Sequence, residues 1–272
     1  MRTCFLGSIL VVLALLAISP GVHAQAPARP GPAATKAIPD LSGSWEGHRL
    51  VPVTAQTALC GIATVCSGLL GVAREPVGDG SAEPPMQPWT EEKYKAAREG
   101  TELNDLGRQD LDPNFGACMP GGPSRLLIDR FRIFELRQFP DMVLLLFDDD
   151  HSVRRIYMDG RQHPAGLSST WMGHSIGKYE GDTLVVDTVG INDRSWIDRV
   201  GHPHSDALHL VERFRRVNNT LEYEYTIDDP KAYKQPWTRK TVHDVLAPGT
   251  LLIEVALCEE LLEMGTHYSA KN

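Results

Sequence analysis

The chain has 272 residues, 42% of them hydrophobic, 23% charged and 7% aromatic, with a formal net charge of −8. An acidic chain repels phosphate, so nucleic-acid binding through bulk charge is excluded. With 24 glycines and 19 prolines the composition is neither collagen-like nor that of an extended disordered polymer, and the length suits one large domain with a substantial core.

Residues 1–24 have the three-part layout of a signal peptide: Arg2, an apolar run from Ile9 to Ile18, then Pro20 and the pattern Val22-His23-Ala24 ahead of Gln25. The apolar run falls short of the roughly 20 residues that a membrane helix needs. The expectation is an exported protein, periplasmic or secreted, with no transmembrane segment after cleavage. Residues 25–39 are rich in Ala and Pro and read as a linker. A single domain is expected over 40–272, with an irregular part at 40–124 and a strand-rich core at 125–260.

Trp45, among turn residues, marks the start of a first strand. Thr90 is placed to cap a short helix whose first turn holds Glu91 and Glu92 and which Gly100 ends. The stretch 101–123 reads as an irregular excursion. Beyond it strands are expected at Leu126–Leu136, Met142–Phe147, Val153–Met158, Trp171–Tyr179, Thr183–Thr188, Leu208–Val217, Thr220–Ile227, Arg239–Val245 and Leu251–Leu257. Glu180-Gly181-Asp182 and Asn218-Asn219 mark hairpin turns. Leu221, Tyr223, Tyr225 and Ile227 alternate with polar residues, the period of a half-buried strand. This pattern predicts a mainly β fold: an antiparallel meander closing into a barrel or clam, with one short helix and an irregular N-terminal excursion.

Four cysteines follow the leader: Cys60, Cys66, Cys118 and Cys258. An even count in an exported chain suggests disulfides, with three connectivities open; one of them closes a local Cys60–Cys66 loop and ties Cys118 to Cys258.

Six of the ten histidines, His151, His163, His174, His202, His204 and His209, crowd into one window. The densest piece is His202-Pro203-His204-Ser205-Asp206, followed by His209 and Glu212. His204 with Asp206 has the makings of a general base and its orienting carboxylate. The set His202, His204, Asp206 and His209 could instead hold a divalent metal. In Asn192-Asp193-Arg194-Ser195-Trp196, Asp193 offers an acid and Arg194 a charge clamp. Each of these residues also suits the rim and turns of a barrel, and both readings are open at this point. Ser175 and Ser205 lack the G-x-S-x-G context of a nucleophile elbow, and phosphate-binding and dinucleotide-binding glycine motifs are absent.

The run TWMGHSIGKYEGDTLVVDTVGINDRSWIDRVGHPHSDALHLVERFRRV, with TIDDPKAYKQPW, PPMQPW and DLSGSW, resembles a large family of secreted bacterial proteins found in acidobacteria and some proteobacteria. The resemblance implies export and a lipocalin-like β architecture; it carries no reaction with it. The leading expectation is a small-molecule-binding barrel whose open end, lined by Trp171, Trp196 and Trp237 with Asn192 and Glu212, performs acid–base chemistry of isomerase, lyase, cyclase or hydrolase type. The catalytic candidates are His204, Asp206, Asp193, Arg194, His174 and His209. No cofactor is expected, a divalent metal being the alternative. The rival readings are a noncatalytic ligand carrier and a structural envelope protein.

Overall fold

The structure is a computed structural model that describes residues 38–47, 83–103, 112–116, 118–128, 132–148, 152–198, 200–250 and 252. All of them belong to one compact unit, Ala37–Asn272. The leader, His151 and the expected strand Leu251–Leu257 lie outside the described residues, apart from Leu252. Cys118 is the one cysteine among the described residues, so the expected pairings of Cys60, Cys66 and Cys258 fall outside them too. No helix among the described residues is long and apolar enough to cross a membrane.

Nine strands close into a barrel: β1 (Gly43–Gly47), β2 (Ile133–Gln138), β3 (Met142–Phe147), β4 (Val153–Tyr157), β5 (His174–Glu180), β6 (Thr183–Val189), β7 (His209–Val217), β8 (Thr220–Asp228) and β9 (Trp237–Val245). Each strand pairs with its sequence neighbour and β9 returns to β1, with Trp45 opposite Val245. The barrel is therefore closed, with no free sheet edge among the described strands. Both expected hairpins are present: Gly181 takes φ 68° between β5 and β6, and Asn218 takes φ 56° between β7 and β8.

Several expectations need correction. The meander is not wholly antiparallel, because β4 and β5 run parallel, joined by a long connection through residues 158–173. That seam is also the thinnest, with only Ile156↔Ser175 and Tyr157↔Ile176 in register. Gly177 makes it possible: a Cβ there would stand 2.7 Å from Met158 Sδ and 2.8 Å from Ile156 Cγ2. The second correction concerns helices, of which the described residues hold three: α1 (Pro88–Leu103), α2 (Pro113–Gly116) and α3 (Gly122–Ile128). The start of the expected strand Leu126–Leu136 belongs to α3. A short apolar run such as Leu126-Leu127-Ile128 fits a buried helix as well as a strand.

Helix α1 starts at Pro88, whose missing N–H costs nothing in a first turn. Thr90 does not cap it; its hydroxyl is buried and donates to the Ala232 carbonyl at 2.7 Å. Tyr94 and Ala97 face the body of the protein, and the helix continues past Gly100 to Leu103.

Inside the barrel, Trp45, Phe134, Leu145, Phe214 and Leu221 are fully buried. Buried with these apolar side chains is a charge pair. Arg154 on β4 donates to Glu212 Oε1 at 2.8 Å and also to Glu212 Oε2, and both side chains are wholly buried. Thr188 accepts from the same guanidinium at 2.8 Å and Ser175 at 3.2 Å, while Tyr223 donates its hydroxyl to Glu212 at 2.8 Å. Burial opposes the charge on Arg154, and the opposing Glu212 carboxylate more than offsets it, holding the guanidinium above its ordinary pKa. His243 on β9 also lies within, edge-on to Phe134 at 5.1 Å, and burial pushes it down to about 3, so it is neutral.

Removing one member of a buried, fully bonded ion pair strands the other. Arg154→Met or Glu212→Gln is expected to lose roughly 3–5 kcal/mol in denaturant unfolding. The double change Arg154→Met with Glu212→Leu should recover most of it, measured as the unfolding midpoint at unchanged slope.

Candidate functional site

One end of the barrel is covered by the connections that follow β6 and β8, together with α1 and α3. The β6–β7 connection folds back on itself, with Trp196 bridging to Pro203 and the Ile197 N–H donating to the His202 carbonyl at 2.8 Å. This brings together the two segments that the sequence singled out separately, 192–196 and 202–206.

Their meeting point is Ser195 Oγ and His204 Nε2, 3.1 Å apart. The other ring nitrogen, Nδ1, lies 3.1 Å from the Ser205 carbonyl oxygen. A carbonyl only accepts, so Nδ1 carries the hydrogen, and in the neutral ring Nε2 is the acceptor for the Ser195 hydroxyl. Burial holds His204 below the ordinary histidine pKa, which keeps it neutral, with the Nε2 lone pair available, at neutral pH. Ser205 is itself fixed by Asp229, which accepts its N–H at 2.6 Å and its hydroxyl at 2.7 Å. Gly122 faces the pair from α3: its φ is +79°, and a Cβ there would stand 3.2 Å from Ser195 Oγ and 3.3 Å from the Trp171 carbonyl oxygen.

His202 plays a different part. Its Nδ1 bonds Asp198 Oδ2 at 2.6 Å, its Nε2 bonds Glu83 Oε2 at 2.9 Å, and its ring stacks on Tyr94 at 4.4 Å. Burial disfavours the charge, yet the Asp198 carboxylate and the hydrogen bonds that the ring donates to both acids outweigh it and push His202 up to about 9. A buried imidazolium thus staples the cap to the segment ahead of α1.

The remaining site expectations are placed as follows. Asp206 does not orient His204; it is exposed and pairs with Lys231 at 2.7 Å, because the carboxylate points away from the loop interior. Asp193 and Arg194 are exposed, and Arg194 lies over the Trp171 ring at 5.6 Å. Asn192 accepts the Arg194 N–H at 3.0 Å, an Asx turn. Trp196 is half-buried against Gly201. Trp237 is no open wall: it packs against Tyr233 at 5.4 Å, Tyr225 at 6.1 Å and His202 at 6.0 Å. Glu212 is within the barrel, engaged by Arg154. The four residues considered for metal binding are dispersed, His202 to Asp198 and Glu83, His204 to Ser195, Asp206 to Lys231, and His209 to Asp187 at 2.8 Å. Among the described residues no group of three or more His, Cys, Asp or Glu side chains is arranged to hold a metal ion.

Sequence reasoning missed Ser195 as a partner of His204, and Asp229 behind Ser205. Only the tertiary fold joins them; neither spacing nor periodicity signals the contact. Asp187 was also missed, and it joins His174, His209 and His163, the last named only as one of the crowded histidines, on the outer wall. Asp187 carried a weaker signal, a lone carboxylate within the apolar strand Thr183–Val189.

No protein-family model matches the chain, and no curated protein matches it.

The His202 staple has a pH signature. Its folded value of about 9 exceeds the free value of 6.5, so its stabilisation is fully present below about pH 6.5 and is lost as pH rises through about 9. Asp198 is held low, against burial, by His202, so its share is present above the ordinary carboxylate range and is lost only as pH falls through its depressed value. His202→Gln is expected to destabilise by roughly 2–3 kcal/mol below about pH 6.5 and by little above about 9, read from urea unfolding across that range.

Proposed function

We propose that this protein is an exported β-barrel that acts on a small organic molecule at its loop-covered end, by cofactor-independent chemistry of hydrolase type. Ser195 is the nucleophile and His204 its general base. The observation that carries the reading is the contiguous set Ser195 Oγ, His204 Nε2, His204 Nδ1 and Ser205 carbonyl, with 3.1 Å at each hydrogen bond. A nucleophile within hydrogen-bond reach of a base that a third group orients is the arrangement that activates a serine. Export is supported by the leader-like layout of residues 1–24 and by the resemblance to secreted bacterial proteins.

The chemistry follows from the tautomer. As Ser195 Oγ bonds to a substrate carbonyl carbon, its proton moves to His204 Nε2, and the Ser205 carbonyl holds the Nδ1–H of the resulting imidazolium. His204 returns that proton to the departing group. Water then attacks the acyl-serine with His204 again as base, releasing the acid and restoring Ser195. Asp229 contributes indirectly, by fixing the Ser205 main chain. Arg194 over Trp171 forms a cationic and aromatic rim nearby, suited to the charged or aromatic part of a substrate. Ser195 and His204 are only 6% and 3% exposed, which restricts the reading to small acyl compounds.

A fluorophosphonate probe and a short-chain p-nitrophenyl ester test it. The probe is expected to label Ser195, with labelling and turnover lost in Ser195→Ala and lowered roughly 100-fold or more in His204→Gln. Asp206→Asn, which removes only an exposed ion pair, should leave both unchanged. Labelling that persists in Ser195→Ala, or a folded protein that is neither labelled nor active, overturns the assignment. A small molecule retained without turnover would return the carrier reading.

A further inference from the structure

A second group of titratable side chains lies on the outer wall. His174 opens β5, Asp187 sits in β6 and His209 opens β7. Their neighbours Ser175, Thr188 and Leu210 are buried inside the barrel, so strand alternation turns His174, Asp187 and His209 outward. The connection between β4 and β5 lays His163 across them. His163 Nδ1 is 2.9 Å from His174 Nδ1, His163 Nε2 is 3.2 Å from Asp187 Oδ1, and His209 Nε2 is 2.8 Å from the same oxygen.

Hydrogen-bond logic fixes the polarity of this chain. A carboxylate oxygen only accepts, so His163 and His209 both donate to Asp187 through Nε2. With its one hydrogen on Nε2, His163 has Nδ1 as its acceptor, and His174 then donates to it from Nδ1. The lone pair left over is Nε2 of His174, which makes no hydrogen bond to the described residues. Burial, His163 and Arg161 together hold His174 below its ordinary pKa, so it stays unprotonated near neutrality. Tyr157 stacks on the ring at 5.2 Å, and Arg161, paired with Asp159, covers Tyr157 at 3.8 Å.

We propose that His174 Nε2 is a carboxylate-driven nucleophile on the outer wall of the barrel, open to small activated acyl compounds and independent of Ser195. In that step a bond forms from Nε2 to the acyl carbon and the bond from that carbon to its leaving group breaks, the leaving group departing with the electron pair. The Nδ1 proton of His174 passes to His163 Nδ1, while the Nε2 proton of His163 moves to Asp187. Water then hydrolyses the acyl-imidazole to the free acid, and the protons return. Asp187 and His163 are positioning residues, acting through His174.

The test uses diethyl pyrocarbonate near neutral pH on the full chain in a Ser195→Ala background, so that the outcome is separate from that of the serine site. Peptide mass spectrometry follows carbethoxylation at each histidine. His174 is expected to react several-fold faster than the same residue in the urea-unfolded chain. Asp187→Asn and His163→Phe should each bring it down to, or below, the unfolded rate, with circular dichroism unchanged. Nitrogen-15 spectra should show the hydrogen of His174 on Nδ1. A rate no greater than in the unfolded chain, a rate unaffected by either variant, or a hydrogen on Nε2 overturns the proposal.

Discussion

The fold turns on the Arg154–Glu212 pair. The barrel closes through one parallel seam, β4 against β5, with only two residue pairs in register. Arg154 reaches across that seam to Ser175 on β5, Thr188 on β6 and Glu212 on β7, and Tyr223 on β8 completes the shell around the carboxylate. Five strands are thereby joined from inside by groups that satisfy one another. An ion pair this deep is tolerable only because each charge is matched and hydrogen-bonded, and a partly satisfied version would be worse than an apolar core. Both side chains are wholly buried inside the barrel, the space where a lipocalin-like carrier would hold its ligand. The groups proposed to react lie instead in the covering loops and on the outer wall, both built on strands that this pair joins.

Three histidines show how the same side chain is set to different tasks by its surroundings. His202, between Asp198 and Glu83, is a buried cation that clips the cap to the segment ahead of α1. His204, a short way along the same loop, meets a hydroxyl and a carbonyl and stays neutral. His243, packed against Phe134 inside the barrel, is neutral through burial alone. Asp229 links the cap to the barrel: besides Ser205 it accepts the Lys231 N–H at 3.2 Å and the Ala232 N–H at 3.1 Å, so one carboxylate shapes both connections at the covered end.

Much of the barrel was legible in the sequence because its strands are short alternating or apolar runs and two of its hairpins carry turn residues. Leu221, Tyr223, Tyr225 and Ile227 announce β8, and Asn218 announces its turn. The parallel seam was not legible, since nothing in residues 158–173 resembles the helix that usually separates parallel strands. In Val153-Arg154-Arg155-Ile156, alternation sends one arginine inward whichever face is chosen, yet only the partner Glu212 shows that this is tolerable. The histidine crowding pointed to the right region. It did not reveal the partners: Lys231 takes Asp206 away from His204, and Ser195 takes its place from the other arm of the loop.

The tautomer of His204 tests the account most directly, since it decides whether Ser195 faces a base. Nitrogen-15 NMR of the folded protein at neutral pH should show His204 neutral, with its hydrogen on Nδ1 and a bare Nε2. A hydrogen on Nε2, donated to Ser195, would contradict the account, because Ser195 would then have no base within reach.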